Sequence, residues 1–479
     1  MRIKLIVIGV IFTVFIVTLY IFESGKKIHS QAANEIQKNN TKKMQQVFVP
    51  KSVPAGNQSD YTIHLSMKKG GTFHVNARVE IKNTSSDSWD KLVFYFIPNM
   101  FTKKNDPSAV QPATNRFNTI KVNGLSNSYR LARDKLSIPL KTKLRTGEQT
   151  TVSFSYVFTV PKGGKRFTQR DGNFYLAQFY PMIATYRNHA WNAAPYQLIN
   201  NETYHTTFSD FNVTYDIPQK YTLVSSGEKD MFPSKSKGTF SVRKIKEVFI
   251  ALLKEPYVTT VKEDNTIIRI FGFNKEECEE IRTEAASAFK YYEHKIGRYP
   301  FGQLDIVLGG LGMEYPGIVT AGYLHDFLLD LDSLKREVDH EIAHQWFYGV
   351  VSNDPYHDGW LDEGMVTFAQ GLLTVYRSKK VIDYTYIDKM VKEYNKYPVN
   401  LPLDQYPPTL RSTYIYGKAS SALFELFKHR GGREGAEKFL NTYYHYYQYK
   451  EVDSKEFMRF VRYYFNVRDN SIFKNWLTY

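Results

Sequence analysis

The chain has 479 residues, 42% of them apolar and 23% charged, with 63 basic side chains against 48 acidic ones and a net charge of +15. That length predicts two or three domains and excludes both a small module and a disordered chain. The single cysteine, Cys278, excludes a disulfide scaffold and any paired-cysteine metal or redox site, so a metal must be held by His and carboxylates.

The first four residues form a short basic start (Arg2, Lys4), expected on the cytoplasmic side. Leu5 to Phe22 is a run of 18 residues without a charge. As a helix it would measure about 27 Å, close to the ~30 Å hydrocarbon core, and it is expected to be a single-pass signal anchor in contact with membrane lipid. The alternative is a cleaved signal peptide, for which Ser30-Gln31-Ala32 is the one tolerable site. With either outcome the rest of the chain faces outside, where near-absence of cysteine suits a bacterial envelope. Residues 23–56 are polar and lack periodicity, as expected of a flexible spacer.

From residue 57 to about 260 apolar residues alternate with polar ones: Phe73, Val75, Ala77, Val79 and Ile81, then Val152, Phe154, Tyr156, Phe158 and Val160. Separated by Gly, Pro, Asn and Ser clusters, these runs predict an antiparallel β domain. Near residue 275 the period changes. Ile281, Ala285, Ala288, Phe289, Tyr292 and Ile296 mark a helix that stops at Gly297, and a strand at Leu304–Leu308 leads into a Gly-rich turn. Helices are predicted over 334–349, 360–378, 383–396, 416–429, 433–447 and 454–465, giving a mainly α second domain over 261–479.

His340-Glu341-Ile342-Ala343-His344 lies in the first of these helices. One helical turn brings both imidazoles to one face, within reach of one ion, and Glu341 beside them can take a proton from water. Catalytic zinc takes three protein ligands and keeps one position open, so a third ligand is required; Glu363, at the start of the next helix, supplies it. Val338, Ile342, Trp346 and Phe347 make the helix apolar, which would leave these histidines buried without a purpose if no metal were held.

The chain resembles the gluzincin aminopeptidases, peptidase family M1. The resemblance rests on His340-Glu341-Ile342-Ala343-His344-Gln345-Trp346, on Trp360-Leu361-Asp362-Glu363-Gly364, and on the 18 residues between His344 and Glu363. It implies a saddle-like β domain followed by a thermolysin-like α+β catalytic domain, in a compact two-domain member without the family's large C-terminal helical domain. It implies one Zn²⁺ per chain on His340, His344 and Glu363, with Glu341 as base. Tyr416-Gly417-Lys418-Ala419 resembles the family's Tyr-x-Lys-Gly segment, which makes Tyr416 rather than nearby Tyr414 the oxyanion donor. Gly309-Gly310-Leu311-Gly312-Met313-Glu314-Tyr315 resembles Gly-x-Met-Glu-Asn, departing from it at Leu311 and Tyr315. By that resemblance Gly312 and Met313 lie along a bound peptide, Glu314 pairs with its α-ammonium, and Gln178 lines the cleft from the β domain.

These readings predict a membrane-anchored zinc peptidase that releases N-terminal residues from peptides. The alternatives are an endopeptidase with the same site, or a tethered binding protein with a non-catalytic zinc. His325 and His357 lack a partner at ligand spacing, and the Tyr443–Tyr449 stretch is expected to be packing. The basic excess is spread without an Arg-rich helix, which argues against nucleic acid as a partner. Oligomeric state is not legible.

Overall fold

The computed structural model describes residues 48–479 apart from 69, 198–201, 229–230 and 325–326. The expected anchor over 5–22, the residues before it, most of the spacer, and His325 lie outside the described set. Among the described residues no helix is long and apolar enough to cross a membrane. The chain divides into two compact units, one of Pro54–Lys290 with Tyr299–Val350, the other of Val351–Tyr479 with Tyr291–Arg298 and the segment before Pro54.

In the first unit a seven-stranded sheet has the order Lys237–Ile245, Ser209–Asp216, Asn57–Met67, Thr72–Asn83, Gln149–Thr159, Asn115–Val122, Leu125–Ser126. The period-two runs are the reason: Phe73, Val75, Ala77, Val79 and Ile81 are all buried, while the residues between them face solvent. Facing it, Trp89–Tyr95 and Lys135–Leu144 bring Phe94 edge-on to Phe154, with ring centroids 5.2 Å apart. The domain is not purely antiparallel as expected. Asn57–Met67 runs parallel to Ser209–Asp216, a pairing that alternation cannot reveal because both orientations share the two-residue side-chain period.

A second, five-stranded sheet begins at Tyr257, in the order Tyr257–Glu263, Thr266–Gly272, Gln303–Leu311, Ile318–Leu324, Phe327–Leu328. The boundary expected near 260 falls inside the strand Tyr257–Glu263. Its middle strands pair in parallel, and helix α1 (Lys275–Lys295) is the crossover between two of them. Leu304, Ile306, Val307 and Leu308 are buried without alternation, as a strand covered on both faces requires. Arg269 and Asp305 pair across it at 2.5 Å. Helix α2 (Leu331–Ala343) follows, its first turn capped by Asp330, whose carboxylate accepts from the Ser333 amide at 2.8 Å.

The second unit is helical: α3 (Glu363–Ser378), α4 (Tyr384–Glu393), a π-helical turn (Thr413–Lys418) that runs directly into α5 (Ala419–Glu425), α6 (Gly432–Tyr447) and α7 (Ser454–Phe465). Phe368 meets Phe424 edge-on at 4.7 Å, and Trp360 meets Phe457 at 4.8 Å while its indole N–H donates to Ser454 at 2.8 Å. Tyr443, Tyr444 and Tyr447 are buried in this core, as the packing reading expected. The spacer is shorter than 23–56. Phe48 is buried and stacks on Tyr463 at 4.6 Å, and the Val53 amide donates to the Glu451 carbonyl, so residues 48–53 are part of the fold.

Candidate active site

The first unit brings together the two histidines, Glu341 and Glu314. His340 Nε2 and His344 Nε2 are 3.2 Å apart at the C-terminal end of α2. His344 Nδ1 lies 3.2 Å from the Phe347 carbonyl. A carbonyl only accepts, so that nitrogen carries the proton and the Nε2 lone pair is turned toward His340, the tautomer a metal ligand needs. One oxygen each of Glu314 and Glu341 and a nitrogen of His344 lie within 4.8 Å of one another. Both carboxylates are buried, Glu314 at 4% exposure and Glu341 at 7%. Two carboxylates drawn out of water beside two imidazoles favour a cation among them. This donor set, nitrogen and oxygen without sulfur, fits zinc.

The helix expected to reach residue 349 ends at Ala343, with His344 as its C-cap. The reason is tertiary. Tyr348 has φ 122°, a conformation hostile to an aromatic residue, and its phenol donates to Glu247 in the interior. Glu247 also accepts from Tyr204 at 2.7 Å and from the Gln178 amide at 2.7 Å, while the Lys246 ammonium lies 4.1 Å above the Tyr348 ring. Burial pushes the Tyr348 and Tyr204 phenols well above their ordinary pKa, so both stay neutral donors to Glu247. This clamp fixes the chain immediately after His344. No local sequence signal marks Tyr348 or Glu247; the pairing spans 101 residues.

Gln178 is a correction. It has no exposed surface, and its amide donates to Glu247 and Tyr204, so it supports the clamp rather than lining a cleft. The Met313 side chain is buried in an apolar cluster with Tyr175, Val307 and Ile318, and its backbone bridges Thr320 in both directions at 3.0 and 2.9 Å. The Gly-rich turn is instead the bulged end of strand Gln303–Leu311, with Gly309 at φ 96°. Gly312 lies against α2: a Cβ there would stand 2.6 Å from Glu337 Oε1 and 2.9 Å from Glu341 Oε1. A side chain there would push these two carboxyl ends aside. Tyr315, where asparagine was expected, stacks on Phe249 with centroids 4.2 Å apart.

Glu337, one turn before Glu341, was not singled out from the sequence. Burial pushes its carboxyl up to about 8 against an opposing hydrogen bond from the Gly322 amide, so it is largely neutral at pH 7 and adds little charge beside Glu341. His357 pairs with Asp354 at 2.9 Å and is half exposed, an ordinary surface histidine.

The second unit brings Glu363 and Tyr416 together. Glu363 opens α3 directly after a 3₁₀ turn at Gly359–Leu361, and the Tyr416 phenol donates to its Oε1. Close helix approach makes this possible: a Cβ on Gly364 would stand 2.6 Å from Ala419 Cβ and 2.9 Å from the Ile415 carbonyl. The small residue at 419 is thus a packing requirement. Lys418 is fully buried, donates to the Tyr397 carbonyl at 2.7 Å, and is lowered to about 8 by burial, a structural rather than a chemical lysine. Tyr414 is packed against Tyr406 and Tyr397, which leaves Tyr416 as the half-buried phenol of the pair.

Residues 283–476 match the model of the peptidase family M1 domain. Among curated relatives, leukotriene A-4 hydrolase of Xenopus laevis is 25% identical over 221 residues, 40% of this chain and 35% of that protein. Aminopeptidase RNPEPL1 of Mus musculus is 24% identical over 211 residues, 39% of this chain and 29% of that protein. The chain thus spans about a third of the length of the curated relatives it matches. An M1 zinc metallopeptidase from Deinococcus radiodurans shares the fold over 85% of this chain and 90% of its own, at a TM-score of 0.58 and 15% identity. A two-domain M1 zinc metallopeptidase bound to L-arginine aligns at a TM-score of 0.60 and 15% identity, covering 86% and 91% of the two chains. The β-rich unit followed by a helical catalytic domain is the architecture these two-domain peptidases share.

Proposed function

We propose that this protein is a zinc aminopeptidase, with one ion held by His340, His344 and Glu363. The observation that carries the reading is the paired imidazoles, with the His344 tautomer set by Phe347 and the Glu341 and Glu314 carboxylates beside them. Bound zinc supplies Lewis acidity at the scissile carbonyl and acidifies a water molecule. Glu341 takes the proton of that water as it attacks, then delivers it to the departing amine. Tyr416, whose hydroxyl donates to Glu363 in this structure, exchanges that partner for the oxyanion as negative charge develops. Glu314, buried and acidic, pairs with the α-ammonium of the peptide, while the backbone at Gly312 lets the chain lie close.

N-acetylation tests this directly, because it removes the charge that Glu314 is proposed to hold. A charge-assisted pair of this kind is worth about 1.5–3 kcal/mol, roughly 10–100-fold. Acetylated peptides are expected to lose nearly all turnover, and Glu314→Ala is expected to raise KM for free-amine peptides. Equal cleavage of blocked and free peptides at internal bonds would establish an endopeptidase instead.

The localisation proposed with this activity is the cell membrane, with the catalytic domain facing outside and Leu5–Phe22 as a single-pass anchor, a reading supported by that segment's 18 uncharged residues. Full-length protein should sediment with membranes and be released by protease added from outside. Mature protein beginning at Ala33 would show cleavage and a released enzyme.

A further inference from the structure

Helix α2 turns two acids toward the Gly-rich strand end, and the proposed reaction uses only one of them. Glu337 precedes Glu341 by four residues, so both stand on the helix face that carries His340 and His344. Gly312 lies against both carboxyls, Glu337 Oε1 and Glu341 Oε1 flanking the point where its side chain would begin. The two oxygens of Glu337 are differently engaged. Oε2 accepts from the Gly322 amide at 2.8 Å, which holds the carboxyl in place. Oε1 has no hydrogen-bond partner among the described residues, and Glu337 forms no ion pair among them. The residue also keeps part of its surface open to solvent. A carboxyl that served only to pack the helix would gain by pairing both oxygens.

The direction of a bound peptide follows from where the carboxyls lie, and it rests on the aminopeptidase reading above. Glu314, assigned to the α-ammonium, shares its place with Glu341 and His344, one ligand atom of each lying within 4.8 Å of the others. Glu341 returns its proton to the departing amine, which belongs to the residue after the scissile bond. Glu337 is one turn further back along α2, on the side of Glu341 away from His344. Gly312 likewise lies two residues back from Glu314 along the strand end. A peptide that starts at Glu314 and leaves its amine at Glu341 therefore carries its second residue toward Glu337. A helical turn rises about 5.4 Å and an extended residue about 3.3 Å, so that residue's side chain can cover the step. We propose that Glu337 is a specificity-determining residue, its Oε1 accepting from the cationic side chain of Lys or Arg at the second position of the peptide. The arriving cation favours the ionised carboxyl, and the proton that burial keeps on Glu337 passes to solvent.

The test compares peptides Ala-Xaa-Gly-Gly-Phe in which Xaa is lysine, norleucine or glutamate, with the full-length zinc-loaded protein and every product identified by mass spectrometry. Norleucine keeps the stem of lysine and lacks its ammonium. Lysine is expected to exceed norleucine in kcat/KM by about 10–100-fold, with glutamate the poorest of the three. Glu337→Gln, which keeps the length and an oxygen for the Gly322 amide, is expected to remove most of that ratio. Glu337→Ala should do the same. The ratio is taken within one preparation, so any loss of folded or metal-loaded protein cancels. A residue that merely positioned α2 would lower all three substrates together and leave the ratio standing. A lysine-to-norleucine ratio near one in the wild type, or a ratio that survives Glu337→Gln, would overturn the proposal. Cuts at internal bonds would count against the aminopeptidase reading alone. The residue after each cut would still be scored, and a lysine preference there that Glu337→Gln removes would uphold the role of Glu337.

Discussion

Glu341→Gln is expected to lower kcat by about 10³-fold or more while the protein keeps its zinc and its stability. The side chain is the same length and stays at the same place on α2, so His340 and His344 keep their positions and the His344–Phe347 hydrogen bond is untouched. What is lost is the capacity to accept a proton from the attacking water and hand it to the leaving amine. Zinc content by atomic emission and peptide turnover on the same preparation check both halves. His344→Ala is the contrasting variant: it should lose metal and activity together. Wild-type turnover by Glu341→Gln, or turnover by protein stripped of metal, would remove the proposed mechanism.

Tyr416→Phe is expected to lower kcat by about 10²–10³-fold with little change in KM, because the hydroxyl matters only once negative charge has formed on the carbonyl oxygen. The ring would still fit its place in the π-helical turn, so a general loss of structure is not anticipated. Tyr414→Phe is the comparison. That ring is 2% exposed among other tyrosines, and its substitution should affect stability more than turnover. A larger kcat loss in Tyr414→Phe than in Tyr416→Phe would transfer the role. Equal KM effects in both would point to substrate binding rather than to the oxyanion.

The histidine pair was legible because its geometry is local: four residues on a helix set the distance whatever the rest of the chain does. The burial of the C-terminal tyrosines was legible from their helical period. What escaped depended on contacts between distant segments. Nothing near Tyr348 signals that its phenol reaches Glu247, so the end of α2 was placed six residues too late. Gln178 was assigned to a cleft by resemblance, but the neighbour that decides its direction is 69 residues away. Met313 and the glycines before it looked like a loop because composition does not distinguish a turn from a bulged strand end. The parallel pairing of Asn57–Met67 was hidden for the same reason that its burial was clear, since a two-residue period specifies the face and not the partner's direction.

The wide turn at Thr413–Lys418 has a consequence for how this segment can change. A π-turn holds one residue more than an α-turn of the same span, and each helical residue advances the side-chain direction by about 100°. Deleting Gly417 would let the segment relax into regular helix continuous with α5, with Tyr416 one position closer to Ala419 and turned by about 100°, and Ala419 could still nest against Gly364. The tyrosine would then stay attached to an undisturbed helix while its phenol left Glu363. The same fold can therefore shed the phenol proposed as oxyanion donor through one deletion at almost no structural expense. Equally, a chain with an unbroken helix here can gain the donor by one insertion. Length at this turn, more than the identity of the residues around it, records whether the tyrosine is in place.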